Sequence, residues 1–188
     1  LPNCEVKLSN EKEILIKHVA LMDGYYKEEK LSSEVIKDGW LYTGDEGFID
    51  DQGFLKITGR VKDLFKTSKA KYVAPAPIEM KLSANKNIEQ VCVVGSGLPQ
   101  PMALVTISDY GKTKDKEALT NSLKKTLDIV NLKFEQHEHL RKMVVIDTEW
   151  TMENNLLTPS MKIKRKEVEN TYQQSYQNWY DSKDRIVY

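Results

Sequence analysis

Three short segments carry the side chains best suited to chemistry. They are Tyr42–Asp45, Gly59–Ser68 and Leu156–Lys166. Together they supply carboxylates and cations, the groups that hold hydroxyl-bearing and anionic ligands through charge-assisted hydrogen bonds.

Each segment also has a structural interpretation of its own. Gly44 and Asp45 are common turn residues. Arg60 and Asp63 can form a solvated ion pair that contributes little. The basic run that begins at Lys162 can be the polar face of a helix, or can resemble a nuclear-localisation or nucleic-acid-binding patch. Taken singly, the segments leave these alternatives open.

Composition narrows the class of protein. The chain has 188 residues, of which 40% are hydrophobic and 30% charged, which is typical of a soluble globular protein of one domain or of one domain and part of another. Its 28 basic and 28 acidic residues cancel, so nucleic acid is not an expected partner. No run is apolar enough to predict a transmembrane segment, and no leader opens the chain. We therefore expect a cytoplasmic protein, for which peripheral contact with a membrane stays open. The first residue is Leu1 rather than Met, which predicts a segment of a longer protein.

Potential metal ligands are few and poorly spaced. Cys4 and Cys92 lie far apart, which argues against both a zinc site and a disulfide. His137 and His139 lie two residues apart in a predicted helix and so face different directions. We predict no metal site in this chain.

The residues before about 60 predict short strands separated by turns. Residues 6–8 and 13–19 alternate in polarity, and residues 27–37 are polar enough for a loop with a helical turn. Two apolar runs flank Asp50-Asp51-Gln52-Gly53, which predicts a β-hairpin. This part of the chain is too short to close a barrel or a sandwich by itself.

The rest of the chain predicts a compact α+β unit. Its expected elements are a hairpin over 66–73, a helix from Pro75 to about 84, strands over 90–94, 103–108 and 143–146, a helix within 114–140 and a closing helix from 164. The middle helix follows from a stripe of apolar residues at helical spacing.

In their order and spacing, the three segments resemble the adenylate-forming superfamily of acyl-CoA synthetases, luciferases and peptide-synthetase adenylation domains. The amino-acid sequence is most similar to that of long-chain fatty acyl-CoA synthetases at residues 39–45, 53–63 and 71–75. Residues 13–27 are similar to the strands that precede these motifs in the same enzymes. The resemblance covers most of the chain. It implies an α+β carboxy-terminal lid domain over 60–188. Residues 1–59 would be the last strands of a large AMP-binding domain whose remainder is missing.

The resemblance also implies a two-step reaction. A fatty acid carboxylate attacks the α-phosphorus of ATP to give an acyl-adenylate, and the thiol of coenzyme A then displaces AMP. Asp45 would accept both ribose hydroxyls, and Arg60 would add donors to the same ribose. Lys162 would bridge the carboxylate and the α-phosphate during adenylation. Lys62 matches the hinge about which the small domain rotates between the two steps.

In the rotation that the resemblance implies, the face that carries Lys66, Ser68 and Lys69 moves into the active site and helps to form the tunnel for the pantetheine of coenzyme A. The sequence departs from the family here, because relatives usually carry glycine at the position of Lys69 and often at that of Ala70. A lysine at 69 could narrow the pantetheine tunnel. Lys12 and His18 likewise replace glycines of the preceding strand block.

The ligands implied for the intact enzyme are ATP, Mg²⁺ and coenzyme A, with Mg²⁺ held by phosphate and an acidic residue upstream. The phosphate loop and the acyl tunnel also belong upstream, so we expect the fragment alone to be inactive. Two alternatives remain: another adenylate-forming ligase, such as a medium-chain or aryl-CoA synthetase, and a non-catalytic binding module of the same fold.

Overall fold

The computed structural model describes residues 3–188. The chain divides into two compact units between Leu64 and Phe65. Each unit has its own main sheet.

The first unit is an open antiparallel sheet of five strands with one short helix. Its elements are β1 (Glu5–Leu8), β2 (Glu13–Lys17), α1 (Glu29–Val35), β3 (Ile36–Lys37), β4 (Trp40–Ile49) and β5 (Leu55–Arg60), followed by a 3₁₀ turn (Val61–Asp63). Strand β4 is the centre of the sheet, because it pairs with β2, β3 and β5. β2 ends at Lys17, two residues before the predicted end of its alternating run.

The predicted hairpin joins β4 to β5. Asp50 closes the turn through its carboxylate, whose Oδ1 accepts hydrogen bonds from the amides of Gln52 at 3.1 Å and Phe54 at 2.9 Å. Gly53 has φ +82°, a left-handed conformation that glycine adopts without a steric penalty. The hairpin prediction is confirmed.

The second unit is a mixed sheet covered by helices. Its elements are β6 (Phe65–Lys66), β7 (Tyr72–Val73), α2 (Pro75–Leu82), β8 (Ile88–Val94), β9 (Met102–Ile107), α3 (Asp109–Lys112), α4 (Lys116–Asn131), β10 (Lys142–Val145), α5 (Arg165–Tyr172), a 3₁₀ turn (Gln173–Ser175), α6 (Tyr176–Asp181) and β11 (Ile186–Val187). The main sheet has the order β11-β10-β9-β8, with β10 parallel to both of its neighbours. β6 and β7 form the small hairpin that the sequence predicts.

Alternation along the strands produces two apolar cores, one on each face of the main sheet. On one face, Val91 and Val93 of β8 pack with Ile78 of α2 and with the apolar stripe of α4, which includes Leu123. On the other face, Cys92 packs in a cluster that includes the fully buried Trp150, Val168 and Tyr176. The buried position of Cys92 agrees with its expected role as a small apolar residue.

Two helices differ from the prediction. α4 ends at Asn131 instead of continuing toward 140, because the Asn131 side chain bonds both the amide and the carbonyl of Leu140 and folds the intervening residues back. His137 and His139 therefore lie in this loop, and their placement in a helix was wrong. The closing helix is interrupted by a 3₁₀ turn between α5 and α6.

Candidate functional site

The segment of β4 that carries Asp45 is fixed by hydrogen bonds of the side chains of Thr43 and Glu13. The hydroxyl of Thr43 donates to the carbonyl of Ile14 at 2.8 Å and accepts from the amide of Asp45 at 3.1 Å. The amide of Gly44 donates to Oε1 of Glu13 at 2.8 Å. Gly44 has φ +73°, where a side chain would be strained. Asp45 is thus presented by a locally rigid backbone.

Asp45 and Arg60 form an ion pair within the first unit. They face each other in the β4–β5 register, and Nη1 of Arg60 lies 2.9 Å from Oδ1 of Asp45. The Arg60 side chain is 59% exposed and that of Asp45 30%, so both remain accessible to a ligand. The pair offers carboxylate acceptors and guanidinium donors side by side, a combination able to bind neighbouring hydroxyls. Arg60 ends β5 and lies in the same compact unit as Asp45, so the observed pair joins two strands of one sheet.

Glu13 was not singled out from the sequence. It opens β2 and reaches Gly44 only because β2 pairs with β4 across an irregularity in the register between residues 13 and 15. No sequence spacing links residues 13 and 44, so the contact could be found only once the pairing was known. Glu46, the neighbour of Asp45, accepts a similar hydrogen bond from Thr58 at 3.1 Å.

Lys162 ends an exposed turn in the second unit. An isolated β-bridge between Leu157 and Ile163 closes the turn. Within the turn, Thr158 forms two hydrogen bonds with Lys162. The amide of Thr158 donates to the carbonyl of Lys162 at 2.8 Å, and the amide of Lys162 donates to the Thr158 hydroxyl at 3.0 Å. The Lys162 side chain is exposed, and its ammonium group makes no hydrogen bond or ion pair with the described residues of its unit. This cation is available to a ligand.

Arg165 anchors the chain three residues beyond Lys162. Its Nη2 lies 2.7 Å from Oε1 of Glu79, and its Nη1 donates to the carbonyl of Val93 at 2.8 Å. The same Glu79 oxygen accepts from the amide of Val93 at 2.7 Å. The network joins the start of α5 to α2 and β8, and was not predicted from the sequence.

The remaining predicted residues lie on either side of the division between the units. Lys62 is exposed in the 3₁₀ turn that ends the first unit. In the second unit, the carbonyl of Lys66 accepts from the amide of Gly97, and the amide of Ser68 donates to the carbonyl of Leu98, each at 3.0 Å. Lys69 is exposed at the tip of the same hairpin. These contacts fix the backbone of the hairpin and leave its lysine side chains accessible.

Two residues at positions where the sequence resemblance predicts glycine adopt a left-handed backbone conformation. Lys12 has φ +62° and Ala70 has φ +58°. For a residue with a β-carbon the left-handed region is strained by about 1–2 kcal/mol. Lys69 has no such left-handed φ.

A separate cavity of about 420 Å³ lies where β9 and β10 end, and none of the predicted site residues lines it. Its wall mixes lysines such as Lys112 and Lys116 with acids such as Asp147 and Glu149. Among residues 3–188, no group of three or more His, Cys, Asp or Glu residues could hold a metal ion. Nor is any helix in that range long and apolar enough to cross a membrane.

The fold is that of adenylate-forming enzymes. The adenylation domain of a carboxylate reductase from Mycobacterium chelonae superimposes with a TM-score of 0.79 at 22% identity, over 96% of this chain and 31% of that structure. This likeness agrees with the α+β lid-domain class predicted from the sequence.

Residues 62–184 match the model of the AMP-binding enzyme C-terminal domain, and the chain belongs to this family. It is 33% identical to the long-chain-fatty-acid–CoA ligase FadD15 of Mycobacterium tuberculosis over 89% of its own length, and 34% identical to long-chain-fatty-acid–CoA ligase 5 of Mus musculus over 93%. It spans 31% and 28% of these two relatives, less than a third of their length. The chain thus corresponds to a carboxy-terminal part of such proteins.

Proposed function

We propose that this chain is the carboxy-terminal part of a cytoplasmic long-chain fatty acid–CoA ligase. The whole protein would activate a fatty acid with ATP and transfer the acyl group to coenzyme A. The observation that carries the proposal is the identity of about a third to proteins named as long-chain-fatty-acid–CoA ligases across nearly all of the chain. The large amino-terminal domain would hold the acyl chain and the phosphates, so the fragment alone is expected to be inactive.

In this proposal Asp45 and Arg60 bind the ribose of ATP. An ionised carboxylate can accept from both vicinal hydroxyls, and charge-assisted bonds of this kind are roughly twice as strong as neutral ones. The neighbouring guanidinium at 2.9 Å keeps the carboxylate oriented and retains donors for the same sugar. The half-exposed position of the pair supports this role, because a ligand can reach it without unfolding the sheet.

Lys162 would act in the first step. The fatty acid carboxylate and the α-phosphate are both anionic and repel each other as they approach. A cation held between them stabilises the transition state, and losing such a contact costs about 3 kcal/mol. The exposed ammonium group on a turn fixed at both ends supports this assignment.

Lys62 would be the hinge of the rotation between the two steps, because it lies in a short turn next to the division between the compact units. Lys66, Ser68 and Lys69 would then line the coenzyme A side. Their hairpin has a backbone fixed to residues 97 and 98, so the tunnel wall would be stable while the exposed Lys69 side chain adjusts. The boundary predicted between residues 59 and 60 stays a proposal about the domains of the whole protein.

In this proposal Mg²⁺ is held mainly by the phosphates of ATP and by an acidic residue of the amino-terminal domain, because the ion commonly needs only one or two carboxylates beside phosphate oxygens.

The test uses the full-length protein with Lys162→Ala. We expect pyrophosphate release that depends on palmitate to fall at least about 100-fold, while thioester formation from supplied palmitoyl-adenylate stays near the unaltered level. Lys166→Ala, at an exposed lysine of the same basic run, should leave both steps unchanged. Equal loss of both steps would contradict the role of Lys162. Activation of benzoate in preference to palmitate would contradict the substrate class.

A further inference from the structure

Thr158 bonds the turn that carries Lys162 through both its backbone and its side chain. The hydroxyl of Thr158 accepts the amide of Lys162 at 3.0 Å, and the backbone of Thr158 bonds the carbonyl of Lys162 and the amide of Met161 at 2.8 and 2.9 Å. The hydroxyl also lies 3.0 Å from that of Ser160. Thr158 therefore bonds both backbone polar groups of Lys162, the amide through its hydroxyl and the carbonyl through its own amide.

Packing cannot replace these hydrogen bonds. Leu156 and Leu157 are buried at the base of the turn, but residues 159–162 are all exposed. Met161 has φ +60°, a strained conformation for a residue with a β-carbon. A threonine hydroxyl can stabilise a turn through local hydrogen bonds to the backbone. The conformation of residues 159–162 thus depends on hydrogen bonding at Thr158.

The position of the Lys162 backbone determines where its ammonium group can reach. A lysine side chain is flexible and already loses entropy when it is held between two anions. If its backbone also moves, productive geometries become a smaller fraction of the ensemble. Misplacement of a catalytic group by about 1 Å can cost on the order of 100-fold in rate.

We propose that Thr158 is a positioning residue for adenylation, whose hydroxyl orients Lys162 toward the reacting groups. The proposal rests on the function assigned above to Lys162. It assigns no contact between Thr158 and the substrate. Its consequence is selective: loss of the hydroxyl should impair the step that uses Lys162 and leave the other step intact.

The experiment compares Thr158→Val, which keeps the shape of the side chain but removes the hydroxyl, with Thr158→Ser, which keeps the hydroxyl. Both are made in the full-length protein. We expect Thr158→Val to lower the kcat of palmitate-dependent pyrophosphate release about 10- to 100-fold. The KM for ATP and thioester formation from palmitoyl-adenylate should change less than about twofold. Thr158→Ser should restore most of the adenylation rate.

The matched control is Ser160→Ala, which removes the neighbouring hydroxyl but leaves the bond from Lys162 to Thr158. It should retain adenylation. Thr158→Ala provides a second variant without the hydroxyl if Thr158→Val does not accumulate as folded protein. An equal fall in both steps, or an unchanged adenylation rate in the folded variants, would overturn the proposal.

Lys162→Ala distinguishes failure of this proposal from failure of the proposed function. If Lys162→Ala is selective for adenylation and Thr158→Val is not, the function stands and the positioning role is wrong. If Lys162→Ala impairs adenylation and thioester formation equally, the role proposed for Lys162 is wrong, and the positioning role of Thr158 that rests on it is wrong as well.

Discussion

The carboxylate of Glu79 and the guanidinium of Arg165 lie 2.7 Å apart, and each side chain is only 17% exposed. The two residues are 86 positions apart in the sequence, so the pair closes a long loop of the second unit. Both groups also bond the backbone of Val93, which satisfies charges that would otherwise be costly to bury.

We predict strong energetic coupling between Glu79 and Arg165. In a double-mutant cycle with Glu79→Gln and Arg165→Met, the coupling in the free energy of unfolding should be about 1–3 kcal/mol. Denaturant unfolding of the chain measures it. The exposed pair Lys112 and Asp109, at 3.1 Å, is the matched control and should show little coupling because solvent screens it. Additive effects of the two substitutions at 79 and 165 would contradict the prediction.

A buried lysine holds the last strand. Lys142 is 2% exposed, and its ammonium group donates to the carbonyls of Ser182 and Asp184. Burial lowers the pKa of this lysine below its ordinary value; Arg141 adds to the effect, and Asp184 and Asp181 oppose it.

Lys142→Met should therefore release the segment that leads into β11. The apolar side chain would remove a hydrogen bond to a charged donor from each carbonyl, and such a bond contributes about 1.5–3 kcal/mol. Hydrogen exchange should speed up first at Met143, whose amide bonds the carbonyl of Arg185. The exposed Lys183→Met is the control, and a similar change in exchange for both variants would show that the buried ammonium group is not the cause.

The stability of the β4–β5 hairpin should depend on pH. The pKa of Asp50 is lowered, first by the Lys56 side chain at 2.8 Å and then by the backbone amides of Phe54 and Gln52. Because the folded pKa is below the unfolded one, this stabilisation is fully present above about pH 4 and is lost as the pH falls through the folded pKa.

In the Asp50→Asn variant, the free energy of unfolding should therefore fall less steeply as the pH decreases below about 4. The measurement is the free energy of unfolding as a function of pH below about 4, for the unaltered chain and for Asp50→Asn. Asp51→Asn changes the next, exposed carboxylate and should leave the acid limb as it was. Parallel curves for the unaltered chain and Asp50→Asn would rule out the contribution of Asp50.

Elements with a strong local pattern could be predicted from the sequence. The hairpin at Asp50 and the start of α2 at Pro75 follow from turn and capping chemistry, and the α4 stripe follows from helical spacing. The end of α4 could not be predicted, because a side chain of Asn131 reaching Leu140 determines it. Strands β3 and β11 have two residues each, too few to show a period.

The residues of the candidate site likewise fall into those that the sequence predicts and those that depend on long-range contacts. Asp45, Arg60 and Lys162 stand in recognisable segments and could be selected from the sequence. Glu13 and the Glu79–Arg165 pair act through long-range pairing and could not. The hydrogen bond from the amide of Lys162 to the hydroxyl of Thr158 depends on the conformation of the turn, which the sequence does not predict.

Strand β4 already contains irregularities on both of its edges. Its register with β2 shifts between residues 13 and 15, and its register with β5 shifts between Glu46 and Gly47, next to Asp45. An insertion of one residue within β4 would turn the faces of the strand over relative to both neighbours. Homologous chains should consequently gain or lose length in the loops near residues 18–28 and 50–54, while Trp40–Ile49 keeps a constant number of residues.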